Sequence, residues 1–159
     1  MTDRGVSTVV GAVALIALTV ALAFVVAATV TGTGETDPGP RARFAVTAGP
    51  GADRIAIEHR GGDRIDVRDL SVRISVDGRP LDRQPPVPFF AAPGFVSGPT
   101  GPFNRASDPN WTAGERASVA IATTNAPGID PGDEVRVRLF VDGSLVADLT
   151  TTADGNVSG

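Results

Sequence analysis

Apolar and polar positions divide the chain into two unlike parts. Residues 6–31 include no charged side chain, and these 26 positions are chiefly Ala, Val, Leu and Ile. Such a run predicts a helix that is apolar on every face, about 39 Å long at 1.5 Å per residue. A bilayer core takes roughly 20 apolar residues, so the expectation is a helix that spans, or spans and projects. Gly32 and Gly34 predict its C-terminal cap, and residues 35–40, rich in Gly, Pro and acids, read as a linker.

Beyond residue 42 the period changes to two. Arg43-Phe44-Ala45-Val46-Thr47 alternates as a half-buried strand does. Residues 54–60 do so less regularly, before Gly61-Gly62-Asp63 supplies a turn. Leu70-Ser71-Val72-Arg73-Ile74-Ser75-Val76 alternates and meets Asp77-Gly78, and residues 116–123 predict a further strand. Val135-Arg136-Val137-Arg138-Leu139-Phe140-Val141, then Asp142-Gly143, then residues 145–152 form the strongest hairpin signal, because Asp-Gly adopts positive φ at low cost. Six or seven short strands with frequent turns imply an antiparallel sandwich. The expected fold class is α+β: a long N-terminal hydrophobic helix followed by a small antiparallel β-sandwich of Ig-like kind. The expected divisions are a short leader at 1–5, a hydrophobic, transmembrane-length helix at 6–34, a linker at 35–42, a β-sandwich at 43–152 and a flexible tail at 153–159.

Residues 80–111 break the pattern. They hold eight of the 13 prolines, four of the seven phenylalanines (Phe89, Phe90, Phe95, Phe103) and the one Trp, Trp111. A segment of that length without regular periodicity is often functional. Two readings stay open for the loop 80–112: an apolar surface for subunit packing or adhesion, or a loop folded over the sandwich with its aromatics in the core.

Three readings compete for the N-terminal run. A cleaved secretory signal has an apolar region of about 7–15 residues; this run is longer, although Ala27-Ala28 could mimic a cleavage site. A plain single-span anchor fits the length. The third reading also uses the short charged leader ending in Arg4-Gly5. With Val6-Ser7-Thr8-Val9-Val10-Gly11-Ala12-Val13 after it, this leader resembles the N-terminus of archaeal type IV pilins, particularly the haloarchaeal group. Thr8 stands where that family usually has Pro. His59-Arg60-Gly61-Gly62-Asp63, Trp111-Thr112-Ala113-Gly114-Glu115 and Asp130-Pro131-Gly132-Asp133-Glu134-Val135-Arg136-Val137 also resemble stretches of haloarchaeal pilin-like proteins.

The resemblance implies that a prepilin peptidase removes residues 1–5 by cutting between Gly5 and Val6. The helix would then pack into a filament core through Val6, Val10, Gly11, Val13, Ala14, Ala17, Ala21 and Phe24, the small residues permitting close contact. Implied partners are other pilin subunits in a homo-oligomeric filament, the prepilin peptidase, the pilus assembly machinery and the membrane. The implied location is the cell membrane as a single-pass precursor with a cytoplasmic N-terminus, then the cell surface as a filament acting in adhesion or aggregation. The rival reading is a membrane-anchored extracellular binding module that does not polymerise, with a minor pilin between the two.

Composition narrows the chemistry. All 14 basic residues are Arg, 14 of the 18 acids are Asp, and the net charge is −4, a balance that argues against nucleic acid, which needs clustered positive charge. With no Cys, no Tyr and one His, neither disulfides nor nucleophilic chemistry is expected. No cofactor, metal or enzymatic activity is expected either. His59 beside Asp63 reads as a satisfied turn histidine rather than a ligand. Asp130, Asp133 and Glu134 miss the calcium-loop spacing and read as a turn. Asn110-Trp111-Thr112 and Asn156-Val157-Ser158 are acceptor triplets, making Asn110 and Asn156 candidate N-glycosylation sites.

Overall fold

A computed structural model describes residues 3–31, 39–49 and 53–154, with helical side chains described over 8–24. The chain divides into two compact units, 1–38 and 39–159.

The first unit contains helix α1 (Asp3–Thr31). Ala and Leu, both strong helix formers, support it among β-branched Val and Ile, and Thr19 returns its hydroxyl to the carbonyls of Leu15 and Ile16, both at 2.9 Å. This ties up the one strongly polar group in that turn. The expected fold class, a membrane-length hydrophobic helix ahead of a β-sandwich, is corrected at this point. Among the described residues no helix is long and apolar enough to cross a membrane, and most of the described regular secondary structure is antiparallel β. The helical residues with described side chains, 8–24, cover about 26 Å at 1.5 Å per residue, against the roughly 30 Å of a hydrocarbon core.

The second unit is built from strands. One sheet orders β1 (Ala42–Gly49), β2 (Arg54–Gly62) and β7 (Arg116–Ala120). A second orders β5 (Arg79–Pro80), β4 (Leu70–Val76), β8 (Glu134–Val141) and β9 (Ser144–Thr152). A short ladder joins β3 (Ile65–Asp66) to β6 (Asn110–Trp111). Every pairing between these strands is antiparallel. Alternation decides which face is buried. Ile55, Ile57 and His59 point inward from β2, Val72 and Ile74 from β4, and Val135, Val137 and Leu139 from β8, each at most 1 % exposed. The Asp77-Gly78 and Asp142-Gly143 pairs both take two successive positive φ angles, the geometry of tight hairpin turns, and they close β4–β5 and β8–β9.

The Pro/Phe-rich segment is mainly core. Phe89, Phe95, Phe103 and Trp111 are buried. Phe103 lies in a 3-10 turn (Gly101–Phe103). The segment runs beside β7, bridging Phe95 to Ile121 and Thr100 to Ser118, so the β7 edge of the three-stranded sheet is covered rather than left open to other chains. Its root is held by side-chain amides acting as strand backbone. Gln84 accepts from the Ile74 N–H at 2.7 Å and donates to the Ile74 carbonyl at 3.0 Å. Buried Asn125 does the same for Arg83, at 2.9 and 3.0 Å.

Candidate functional site

The helix surface is where the sequence placed its packing residues, and each of those with a described side chain stands in the open. Val10 is 60 % exposed, Val13 61 % and Phe24 73 %; Ala14, Ala17 and Ala21 are exposed as well. Their spacings of three, four and seven lay them along one stripe. Yet the apolar surface is not confined to that stripe, since Leu15, Ile16, Leu18 and Leu22 are exposed too. A Cβ placed on Gly11 would meet nothing within 4 Å. The backbone at Gly5 and Val6 lies within α1, and the side chains there fall outside the described residues.

A second constellation joins two segments that the sequence reading kept apart. His59 occupies an inward position of β2, buried completely, rather than a turn. Its Nε2 donates to the Asp63 carbonyl at 2.9 Å, while Nδ1 is buried without a hydrogen-bond partner. The His59 ring meets Phe44 edge-on at 4.8 Å and Trp111 at 6.0 Å. Trp111 also meets Phe44 at 4.9 Å and Phe103 at 5.2 Å. The backbone closes the same knot: the His59 N–H donates to Glu115 O at 2.9 Å and Gly114 N–H to His59 O at 2.7 Å. The Trp111 indole donates to Glu115 O at 3.1 Å, and the Glu115 carboxylate accepts from the Thr112 N–H at 2.7 Å and its hydroxyl at 2.9 Å. Residues 59–63 and 111–115 therefore form one structural joint. With its ring walled in by aromatics, His59 cannot reach a substrate. The period-two placement of Ile55, Ile57 and His59 was the available signal for this burial.

The same joint holds the start of the second unit. Asp63 N–H donates to Arg41 O, and Arg41 N–H to the Asp63 carboxylate, both at 2.9 Å. Gly62 makes that approach possible: its φ is +99°, and a Cβ there would lie 2.2 Å from Arg41 O.

Charged groups lie on the outside. Arg68 chelates Asp66, and this hydrogen-bonded guanidinium holds the Asp66 carboxyl at about 2. Arg136 bonds Asp148 at 2.7 Å and lowers its carboxyl below the usual range. Asp130 and Asp133 close a turn on each other, the Asp130 N–H donating to the Asp133 carboxylate at 2.8 Å and the Asp133 N–H to Asp130 O at 3.2 Å. Glu134 donates its N–H to Asp77 at 2.9 Å. Among the described residues no group of three or more His, Cys, Asp or Glu could hold a metal.

Of the two acceptor triplets, Asn110 is half-buried in β6. Its side-chain amide donates to Asp108 at 2.8 Å, and the middle residue, Trp111, is wholly buried. Asn156 lies outside the described residues.

No family model matches the chain. An uncharacterized protein of Archaeoglobus fulgidus is similar at 37 % identity over 81 residues, 50 % of this chain. The match spans just over half of that relative's own length, 56 %. Among solved structures, a chain from the archaeal flagellum of Methanospirillum hungatei strain JF1 is similar at 12 % identity and a TM-score of 0.40, covering 100 % of this chain and 98 % of that one. A likeness of that degree is too low to carry a fold or a function from one chain to the other.

Proposed function

We propose that this protein is a structural subunit of a type IV pilin-like filament, assembled by packing α1 against the α1 helices of other copies. One observation carries the reading: every described side chain of α1 is exposed, although these residues, 8–24, are uncharged and almost wholly apolar. A water-exposed helix of this kind has an unmet need for cover. Burying each Val, Leu, Ile or Phe contributes about 1.5–3 kcal/mol, and nine large apolar residues of α1 stand at 51 % exposure or more. Copies of the same helix meet that need on all faces. The open space beside Gly11 admits a neighbouring backbone, a use for glycine at a position where Ala would favour the helix by about 1 kcal/mol.

In this reading a prepilin-type peptidase cuts between Gly5 and Val6. The second unit is displayed outside the cell, where it supports attachment or aggregation. The experiment is Val13→Asp in the full chain, with Val13→Leu as its control. Val13→Asp is expected to abolish sheared filaments seen by electron microscopy, because an unpaired charge is costly in an apolar bundle. Val13→Leu should retain them, and Trp111 fluorescence should be the same in both. Normal filaments from Val13→Asp would overturn the reading. N-terminal mass spectrometry checks the processing step, which predicts a mature chain beginning at Val6.

A further inference from the structure

In the second unit, three large apolar side chains stand exposed among the described residues: Phe90 at 61 %, Val96 at 51 % and Leu145 at 55 %. They form two groups. Phe90 and Val96 belong to residues 84–104, a stretch with no charged side chain. Backbone bonds fix this stretch so that the pair is held outward while Phe89 and Phe95 turn in. Gly98 N–H donates to Phe90 O at 2.7 Å, Val96 N–H to Ala120 O at 2.9 Å, and Ala122 N–H to Gly94 O at 3.0 Å. Leu145 follows the Asp142-Gly143 turn and stands directly opposite half-buried Phe140.

Strand β1 shows that the two groups lie at opposite ends of the unit. Near its start, a Cβ on Gly39 would touch the Ser144 side chain at 3.4 Å, beside Leu145. At its end Gly49 pairs with Arg54, which pairs in turn with Ala120, the residue bonded to Val96. Eight residues of strand separate them, about 26 Å at 3.3 Å per residue.

Two different apolar patches at opposite ends of one body can pair head to tail, and such contacts build open arrays. We propose that the Phe90/Val96 patch of one copy docks on the Phe140/Leu145 hairpin end of the next copy. The inference rests on the subunit reading above. Area supports a second copy as the occupant. Two or three side chains offer on the order of 300 Å² in all, far below the roughly 1,200–2,000 Å² of a stable independent complex. Such a contact acts only between molecules already held together, where effective concentration is high. Charge also fits. Exposed Arg83 and Arg105 bound the uncharged stretch, and exposed Asp69 and Asp142 lie at the hairpin end, where Asp142 N–H bonds Asp69 O. Opposing charges are present as well: Arg138 lies over the Phe140 ring at 6.0 Å and opposite Arg73 and Asp148, and Asp82 neighbours Arg83.

The chain has no cysteine, so introduced thiols report contacts without background. Full-length Phe90→Cys and Leu145→Cys chains are co-assembled and mildly oxidised. The expected result is a covalent dimer at least fivefold above a Phe90→Cys plus Thr150→Cys control, with a ladder of multimers from the chain carrying both Phe90→Cys and Leu145→Cys. Like pairs cross-linking as efficiently as unlike pairs overturns the head-to-tail contact, and so does a mixed yield no higher than the control. Filaments are scored in parallel by sedimentation. Filaments without the cross-link refute this contact alone, whereas no filaments from the unsubstituted chain, together with no cross-link between the Cys-bearing chains, refute the subunit reading as well.

Discussion

Gly62→Ala tests whether the joint between residues 41–42 and 61–63 holds the second unit closed. Two costs arise at one atom. The backbone at Gly62 has φ +99°, and holding an L-residue in such a region costs about 1–3 kcal/mol. The new Cβ would also sit 2.2 Å from Arg41 O and 2.9 Å from Ala42 Cα. Both are backbone atoms, so no rotamer change relieves the clash. The start of β1 must move away, giving up the two Arg41–Asp63 hydrogen bonds at about 0.5–1.5 kcal/mol each. The expected loss is about 2–6 kcal/mol, centred on about 4. Gly78→Ala is the control: its φ is +75° and a Cβ there meets nothing within 4 Å, leaving a conformational cost of about 1–2 kcal/mol. Urea unfolding followed by fluorescence of the single, fully buried Trp111 reads both variants. At a slope of about 2 kcal/mol per molar, Gly62→Ala should unfold about 1 M below Gly78→Ala. Equal midpoints would refute the account, because they would mean that the close approach to Arg41 contributes nothing.

Two further outcomes are expected. Asp66 should titrate at about 2, below its ordinary 3.8, because Arg68 hydrogen-bonds its charged form. Its folded value is depressed, so the stability it contributes is present above pH 3.8 and is lost as pH falls through about 2. Carbon-detected NMR titration should show the midpoint returning toward 3.8 in Arg68→Gln; an ordinary midpoint in the unsubstituted chain would contradict the pairing. Asn110 should carry no glycan once the unit has folded, because its amide is held by Asp108 and Trp111 is locked in the core. Glycopeptide mass spectrometry showing most molecules modified at Asn110 would refute this.

Local signals in the sequence were enough for the strands. Alternation in 70–76 and 135–141 and the two Asp-Gly pairs specify both the inward face and the hairpin, because a period of two and a positive φ are properties of neighbouring residues. What was not legible depends on contacts between distant segments. His59 and Glu115 exchange a bond across more than fifty positions, and nothing within 59–63 announces Trp111 as its neighbour. The reading of His59 as a turn residue weighed the glycines after it above the alternation before it. The helix erred in the other direction: its apolar length alone suggested a membrane span, whereas no described helix is long and apolar enough to be one.

The aromatics show why composition could not choose between the two readings of residues 80–112. Phe89 and Phe90 are adjacent and chemically identical, yet one is 3 % exposed and the other 61 %. The choice between them is made by backbone bonds to Phe103, Arg105 and Gly98, which fix which side chain faces the core. A phenylalanine-rich segment can therefore serve both purposes at once. Its buried members fill the space around β7, and the bonds that order them also hold Phe90 and Val96 outward. Removing a buried member such as Phe103 would thus disturb the outer patch as well as the core, whereas changing Phe90 removes the outer side chain alone. That asymmetry is why the proposed contact between copies is tested at position 90.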